Sequence, residues 1–396
     1  MPPKATTSGR ARRSPGSAGL RRQLVEQLEG NGCLTSSAVR RAFLAVPRER
    51  FLSEIAEREG LERVYQDQAI VTTKDQRGIP ASSSSQPSMM ASMLEQLDLR
   101  SGQRVLEVGA GSGYNAALLA RIVGARGQVI SVELDPITAR GARRGLASAK
   151  SGAKVVRGDG REGWPRGAPY DRVIVTASAP TVPRAWYDQL AEGGLLELPL
   201  IVRRAGQAQA IVTLRKQAKA LRSEALLYGG FMPLRDAPGA PVPSPPPILG
   251  AIERIDEQSR SLAQLSGEAL RRLSAARRQR LLSLALAEPR TRQLGVRAPR
   301  PGLVFYLTLE APESRFVGGW PRAGVIGKDG SGLALLAGGE KTLTRIESYG
   351  DRGAERLLLK LVERWKARGR PTGHDLRVEV SFRGGASSEV RLSWGS

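Results

Sequence analysis

The chain has 396 residues, with 61 Lys plus Arg against 38 Asp plus Glu, a formal charge of +23. That length has room for two domains, and a field of that sign draws anionic partners such as nucleic acid, acidic peptide or anionic lipid. A single cysteine, Cys33, excludes an internal disulfide framework and a cysteine-built zinc site, and a single histidine, His374, excludes a multi-histidine metal site. No metal is therefore expected. No run is long and apolar enough to cross a bilayer, so no membrane partner is expected, and a reducing, cytoplasmic setting fits.

Residues 1–19 are basic, rich in Ser and Pro, and free of acids. Without an apolar segment they make no secretory signal, and prolines at 2, 3 and 15 oppose an amphipathic helix, so a disordered basic tail is expected. Residues 20–56 read as helices. Leu24, Val25 and Leu28 share a face, Asn31-Gly32 breaks the pattern, and Ser36-Ser37 can cap the next helix. Residues 64–85 read mostly as loop. Pro87 then opens a helix with Met90, Met93, Leu94 and Leu97 on one side, as suits a residue whose missing N–H would have no partner in the first turn.

Strands and helices then alternate. Strands are expected at 104–109, 128–133, 153–157, 171–176, 195–201 and 208–215, with a further one at 220–227. Helices are expected at 114–123, 137–149 and 183–191. Such alternation predicts a mainly parallel sheet with ligands bound past the strand ends. Pro238–Pro247, rich in proline, reads as a stiff linker. Beyond it a helical segment is expected at 251–287, strands at 303–309 and 376–382, and a helix at 354–367. The expected domains are a tail at 1–19, an α/β domain at 20–237, a linker at 238–247 and an accessory α+β domain at 248–396.

The chemistry gathers around Arg104-Val-Leu-Glu-Val-Gly-Ala-Gly-Ser-Gly113, a strand running into a glycine turn. Gly109, Gly111 and Gly113 depart from the dinucleotide spacing, because the third glycine comes one residue early. This turn has no pyrophosphate to cradle and instead lets the backbone pass close to a nucleoside with an amino-acid tail. Glu107 lies on the strand itself. Glu133 ends the next strand, where a carboxylate can accept ribose hydroxyls. Asp159 follows the third strand within Gly158-Asp159-Gly160, placed to hold an adenine amino group. Together these positions favour S-adenosyl-L-methionine over a nicotinamide cofactor. The plain alternative is a tight turn with acids on a solvated edge.

Several motifs occur in order: Val46-Pro-Arg-Glu-Arg-Phe51, Ser85-Gln86-Pro87, Val105 to Tyr114, Gly158 to Gly160, Tyr170-Asp-Arg-Val-Ile-Val-Thr176 and Phe231-Met-Pro-Leu234. As a set, over residues 20–235, they resemble the protein-L-isoaspartate O-methyltransferase family. The resemblance implies a Rossmann-like α/β methyltransferase fold with a helical N-terminal segment. It also implies methyl transfer from S-adenosyl-L-methionine to the carboxylate of isoaspartyl (or D-aspartyl) residues in damaged proteins. By the same resemblance Ser85 is the catalytic residue, and Ser83, Gln86 and Pro87 belong to the loop that holds the substrate carboxylate. Local chemistry offers Ser85 a second role, as a helix cap before Pro87.

Residues 248–396 have no counterpart in the minimal enzyme of that family. Long relatives are similar to methyltransferases acting on aspartate in a ribosomally made peptide, which is the alternative acceptor. A nucleic-acid methyltransferase is disfavoured, since Thr176-Ala-Ser-Ala-Pro180 lacks the Asn/Asp-Pro-Pro-aromatic pattern, but the basic charge leaves that partner open. The role of the accessory domain is undecided between a peptide-binding module, an oligomerisation module and a cover over the site.

Overall fold

The computed structural model describes residues 16–203, 208–235, 237, 248–256, 259–285, 287–318, 323–339, 341–382 and 388–395. The expected linker at 238–247 and most of the expected tail lie outside the described residues. A helix starts at Ser17, inside the segment expected as tail. Internal contacts divide the chain into two compact units, Met1–Arg104 with Ala110–Arg157, and Val105–Gly109 with Gly158–Ser396.

The first unit opens with helices Ser17–Gly30 and Ser37–Ala45, broken at Asn31-Gly32 as their sequence requires. Leu20, Leu24, Val25 and Leu28 are buried along one face, and the Ser36 hydroxyl accepts the Val39 N–H to start the second helix. The segment expected as loop contains an antiparallel hairpin, Ile70–Lys74 with Pro80–Ser84. The polar run that suggested a loop is only its tip. The Asp75 carboxylate accepts the N–H groups of Arg77 and Ile79, and the Gly78 N–H bonds Asp75 O at 2.9 Å. Helix Pro87–Gln96 follows and buries Met90, Met93 and Leu94, as expected.

Helix Tyr114–Val123, strand Gln128–Glu133, helix Pro136–Ser148 and strand Lys154–Arg157 complete this unit. The two strands are parallel, with Glu133 opposite Arg157. The helix between them is capped by Asp135, whose carboxylate accepts the Thr138 N–H at 2.7 Å.

In the second unit, strand Arg104–Val108 runs parallel to Tyr170–Val175, which runs parallel to Leu190–Arg203. Ala208–Gln217 and Ala220–Tyr228 continue the sheet antiparallel. Strands Leu376–Ser381 and Glu389–Trp394 add to the same sheet, with Val380 opposite Leu221. This is the Rossmann-like α/β pattern, with parallel strands feeding loops that carry the candidate site.

A separate antiparallel sheet of seven strands occupies the C-terminal part of the second unit. Helices Arg300–Glu310 and Arg352–Ala367 share a core with it that includes Leu303, Tyr306, Leu358, Leu361 and Trp365. Two expectations are corrected here. The 251–287 helix is replaced by strands Ile248–Asp256 and Ser259–Ser266, then helices Glu268–Arg271 and Ala275–Ala285. A register slip between Leu249 and Ile252 breaks the two-residue alternation, so the three-residue spacing of Ile252 and Ile255 passes for a helical period. The 303–309 strand is a helix. Leu303, Phe305, Tyr306, Leu307 and Thr308 are all buried, so no polar stripe marks the helical period, and Pro301 in its first turn is the start signal.

Candidate active site

In the first unit the site is built where a serine-bearing strand passes the glycine turn. A side chain at Gly111 would place its Cβ 3.1 Å from Ser83 O and 3.9 Å from Ser82 Oγ. The hydroxyl-rich strand Pro80–Ser84 therefore passes close over the turn, and an alanine at 111 would require it to give by a few tenths of an ångström. Gly113 has φ +87° and its Cβ position is 3.1 Å from Ala142 O, so both conformation and space demand glycine there.

Glu133 holds this turn. Its Oε2 accepts the N–H groups of Ala110 (3.0 Å) and Gly111 (3.1 Å), and its Oε1 accepts that of Asp135 (3.0 Å). A carboxylate has about four lone-pair directions, so about one remains for a ligand hydroxyl.

Ser85 is half-buried between the strand and helix Pro87–Gln96. Among the described residues its hydroxyl has no hydrogen-bonding partner, while its carbonyl accepts from Arg48 Nη2 at 3.0 Å. Ser85 is not the helix cap. Gln86 occupies that position, and the Asp67 carboxylate caps the helix instead by accepting the Ser88 N–H at 2.8 Å. Gln86 is exposed and donates through Nε2 to Asp67 O and Asp67 Oδ2. Pro87 is buried as the first helical residue, and Ser83 sits opposite Val71 in the hairpin.

Arg48, whose motif marked the resemblance but which was given no role, lies underneath. It is 0% exposed, and its guanidinium donates to Val64 O, Gln66 O, Ser84 Oγ and Ser85 O at 3.0, 3.3, 3.3 and 3.0 Å. Its charge centre stands 5.7 Å from the centre of the Tyr114 ring. Burial draws the Arg48 pKa down, opposed by Tyr114, Tyr65 and Asp67 in that order. Burial raises the Tyr114 phenol. It also pushes the Tyr65 phenol up to about 12, so both rings are neutral at physiological pH.

The remaining expected residues are in the second unit. Glu107 is fully buried on its strand and pairs in register with Ile174, which in turn pairs with Glu197. Gly109 has φ +95°, and its Cβ position is 2.6 Å from Thr176 Oγ1. That hydroxyl donates to Gly109 O (2.7 Å) and Val108 O (3.1 Å), locking the strand end. Gly160 leaves no room for a side chain, since a Cβ would lie 2.4 Å from Val108 Cγ1, and its carbonyl accepts from Trp186 Nε1 at 2.7 Å.

Asp159 is engaged by Arg161, a partner the sequence reading missed. The carboxylate accepts the Arg161 backbone N–H at 2.9 Å, Nε at 3.0 Å and Nη2 at 2.6 Å. Those hydrogen bonds hold the Asp159 carboxyl below the usual range. No cluster of His, Cys, Asp or Glu suited to a metal exists among the described residues. The lone His374 is exposed.

The family model described as protein-L-isoaspartate(D-aspartate) O-methyltransferase matches residues 20–238. The protein-L-isoaspartate O-methyltransferase of Pyrobaculum neutrophilum is 37% identical over 217 residues, covering 54% of this chain and 99% of that protein. That of Methanopyrus kandleri is 43% identical over 184 residues, covering 46% of this chain and 76% of the relative. A solved structure titled protein-L-isoaspartate O-methyltransferase aligns over 94% of this chain and 99% of its own, with 27% identity and a TM-score of 0.54. That alignment runs well beyond residue 238, so the C-terminal part also has a counterpart in a protein of that title.

Proposed function

This chain belongs to the protein-L-isoaspartate(D-aspartate) O-methyltransferase family, and on that premise we propose how its own residues carry the reaction. The enzyme methylates the carboxylate of isoaspartyl residues in proteins or peptides. S-adenosyl-L-methionine, when bound, supplies the methyl group as an electrophilic sulfonium substituent. The observation that carries the reading is the packing of the Ser83 strand against Gly111, which joins a hydroxyl-bearing loop to a nucleoside-type turn within one compact unit.

The residues fit that cofactor. Gly109, Gly111, Gly113 and Gly160 each sit where a side chain would press on a neighbouring protein group, so the turns keep a tight backbone path that a nucleoside ligand can approach. Glu133 orients the turn through three N–H groups and retains an acceptor direction for a ribose hydroxyl. Asp159 accepts from the adenine amino group, and the buried Glu107 supports the strand that carries Gly109.

The acceptor carboxylate is already ionised at neutral pH, so no general base is required. The chain's part is alignment of oxygen, methyl carbon and sulfur, and near-attack geometry contributes at most about 7–11 kcal/mol. Ser85, with its hydroxyl uncommitted, donates to one carboxylate oxygen and leaves the other to attack. Ser83, Gln86 and Pro87 shape the loop that receives the acceptor. Residues 20–237 carry this chemistry, and 248–396 serve it as an accessory part.

The names of the relatives favour isoaspartyl acceptors over a dedicated peptide or nucleic acid. The test is transfer of labelled methyl to an isoaspartyl peptide as a base-labile ester. Absence of that ester with intact, cofactor-binding protein contradicts the proposal.

A further inference from the structure

Arg48 presents a problem that packing alone does not solve. A guanidinium fully removed from water is costly and is ordinarily paired with a carboxylate. Here all four of its acceptors are neutral oxygens, and among the described residues no carboxylate oxygen bonds it. Its Nε has no hydrogen-bonding partner at all. The surrounding phenols of Tyr65 and Tyr114 are neutral, because burial raises both. The unit thus keeps in its interior a positive charge that no carboxylate hydrogen-bonds, with Asp67 acting on it only through space. Two of the four contacts are to Ser84 Oγ and Ser85 O, directly behind the hydroxyl given to the acceptor carboxylate.

We infer that Arg48 is the specificity-determining residue for an anionic acceptor, supplying its counter-charge from one layer behind Ser84 and Ser85. The inference rests on the functional reading above and names the group that selects charge. Its placement resolves a conflict within that reading. A cation touching the acceptor would bond the attacking oxygen and blunt it as a nucleophile. A cation behind a serine wall attracts the carboxylate through a poorly screening interior, while only the neutral hydroxyl touches it. Arg48 is therefore a positioning residue, and its contribution is distinct from that of the exposed basic surface, which salt screens.

The test compares two peptides that differ only in charge, an isoaspartyl peptide and its isoasparaginyl amide. Both are bound to the full-length protein with S-adenosyl-L-homocysteine present, in about 0.5 M salt to suppress the surface field. Wild type is expected to prefer the acid by about tenfold or more. Arg48→Met, which keeps the stem and removes the charge, is expected to lose that preference while its affinity for S-adenosyl-L-methionine stays within about twofold, and Arg48→Lys is expected to retain most of it. Equal binding of acid and amide by wild type, or full preference in folded Arg48→Met, overturns the inference. Should Arg48→Met not fold, Arg48→Lys decides: preference kept with a lowered kcat supports the inference, and preference lost overturns it. A wild type that binds neither peptide refutes the functional reading itself.

Discussion

Replacement of Glu197 by Gln is expected to change how stability depends on pH. Glu197 is 0% exposed on strand Leu190–Arg203, opposite Thr213 in the ladder. Burial raises its pKa well above the ordinary carboxyl value, and Thr213 across the ladder opposes this only in part. A group whose folded pKa is raised stabilises the fold fully below its unfolded pKa, and that stability is lost as pH climbs toward the folded value. The unfolded carboxyl ionises near its usual value, about 4.3. Above that, each pH unit costs about 1.4 kcal/mol for as long as the folded group stays protonated. Between the unfolded and folded pKa values the wild type should therefore lose stability relative to Glu197→Gln as pH rises, at no more than about 1.4 kcal/mol per pH unit, because the Gln variant has no proton to release. Urea unfolding at pH 5, 6 and 7, followed by circular dichroism with m-values compared, reads this directly. Two parallel pH curves would refute the reasoning, because Glu197 would then be ionised or solvated in the folded protein.

Further predictions concern the site. Ser85→Ala should lower turnover on isoaspartyl peptide by about 10–100-fold with S-adenosyl-L-methionine affinity unchanged, since its hydroxyl meets only the acceptor; calorimetry beside a turnover assay separates the two. Gly109→Ala forces a Cβ to 2.6 Å from Thr176 Oγ1 at φ +95°, so a loss of roughly 1–3 kcal/mol in stability with weakened cofactor binding is expected in melts and titrations. Arg161→Ala removes the hydrogen bonds that lower the Asp159 pKa. The acid limb of cofactor affinity should then move to higher pH, as titrations across the acid range would show. Aged native protein should self-methylate little at Asn31, because the Gly32 N–H needed for ring closure is held by Glu29 O at 3.0 Å, and labelled-cofactor incubation before and after unfolding checks this.

What the sequence disclosed followed from how local each constraint is. The glycine turn and the strand-end acids are legible because backbone geometry dictates them within a few residues. Helix Tyr114–Val123 agrees with its expected bounds for the same reason, having a clear apolar face beside a glycine break. Arg48 was opaque because its partners Ser84 and Ser85 lie 36 and 37 residues away. Asp67 caps the helix at Ser88 across 21 residues, so local sequence offered the nearer Ser85 a second role as cap instead. Arg161 is a neighbour of Asp159 in sequence, and its basic side chain two residues on was the signal passed over. Glu197 also left a trace, as one acid inside the apolar run Leu195-Leu-Glu-Leu-Pro-Leu200. In the C-terminal part, a register slip and a helix buried on most sides erased the periodicities that separate strand from helix.

The central claim is that this chain esterifies an isoaspartyl carboxylate held by the Ser85 loop. One peptide made with isoaspartyl, D-aspartyl or normal aspartyl at the same position, offered with labelled S-adenosyl-L-methionine, tests it most directly. The highest kcat/KM is expected on the isoaspartyl form. Preference for normal aspartate, or no ester on any of the three, would contradict it.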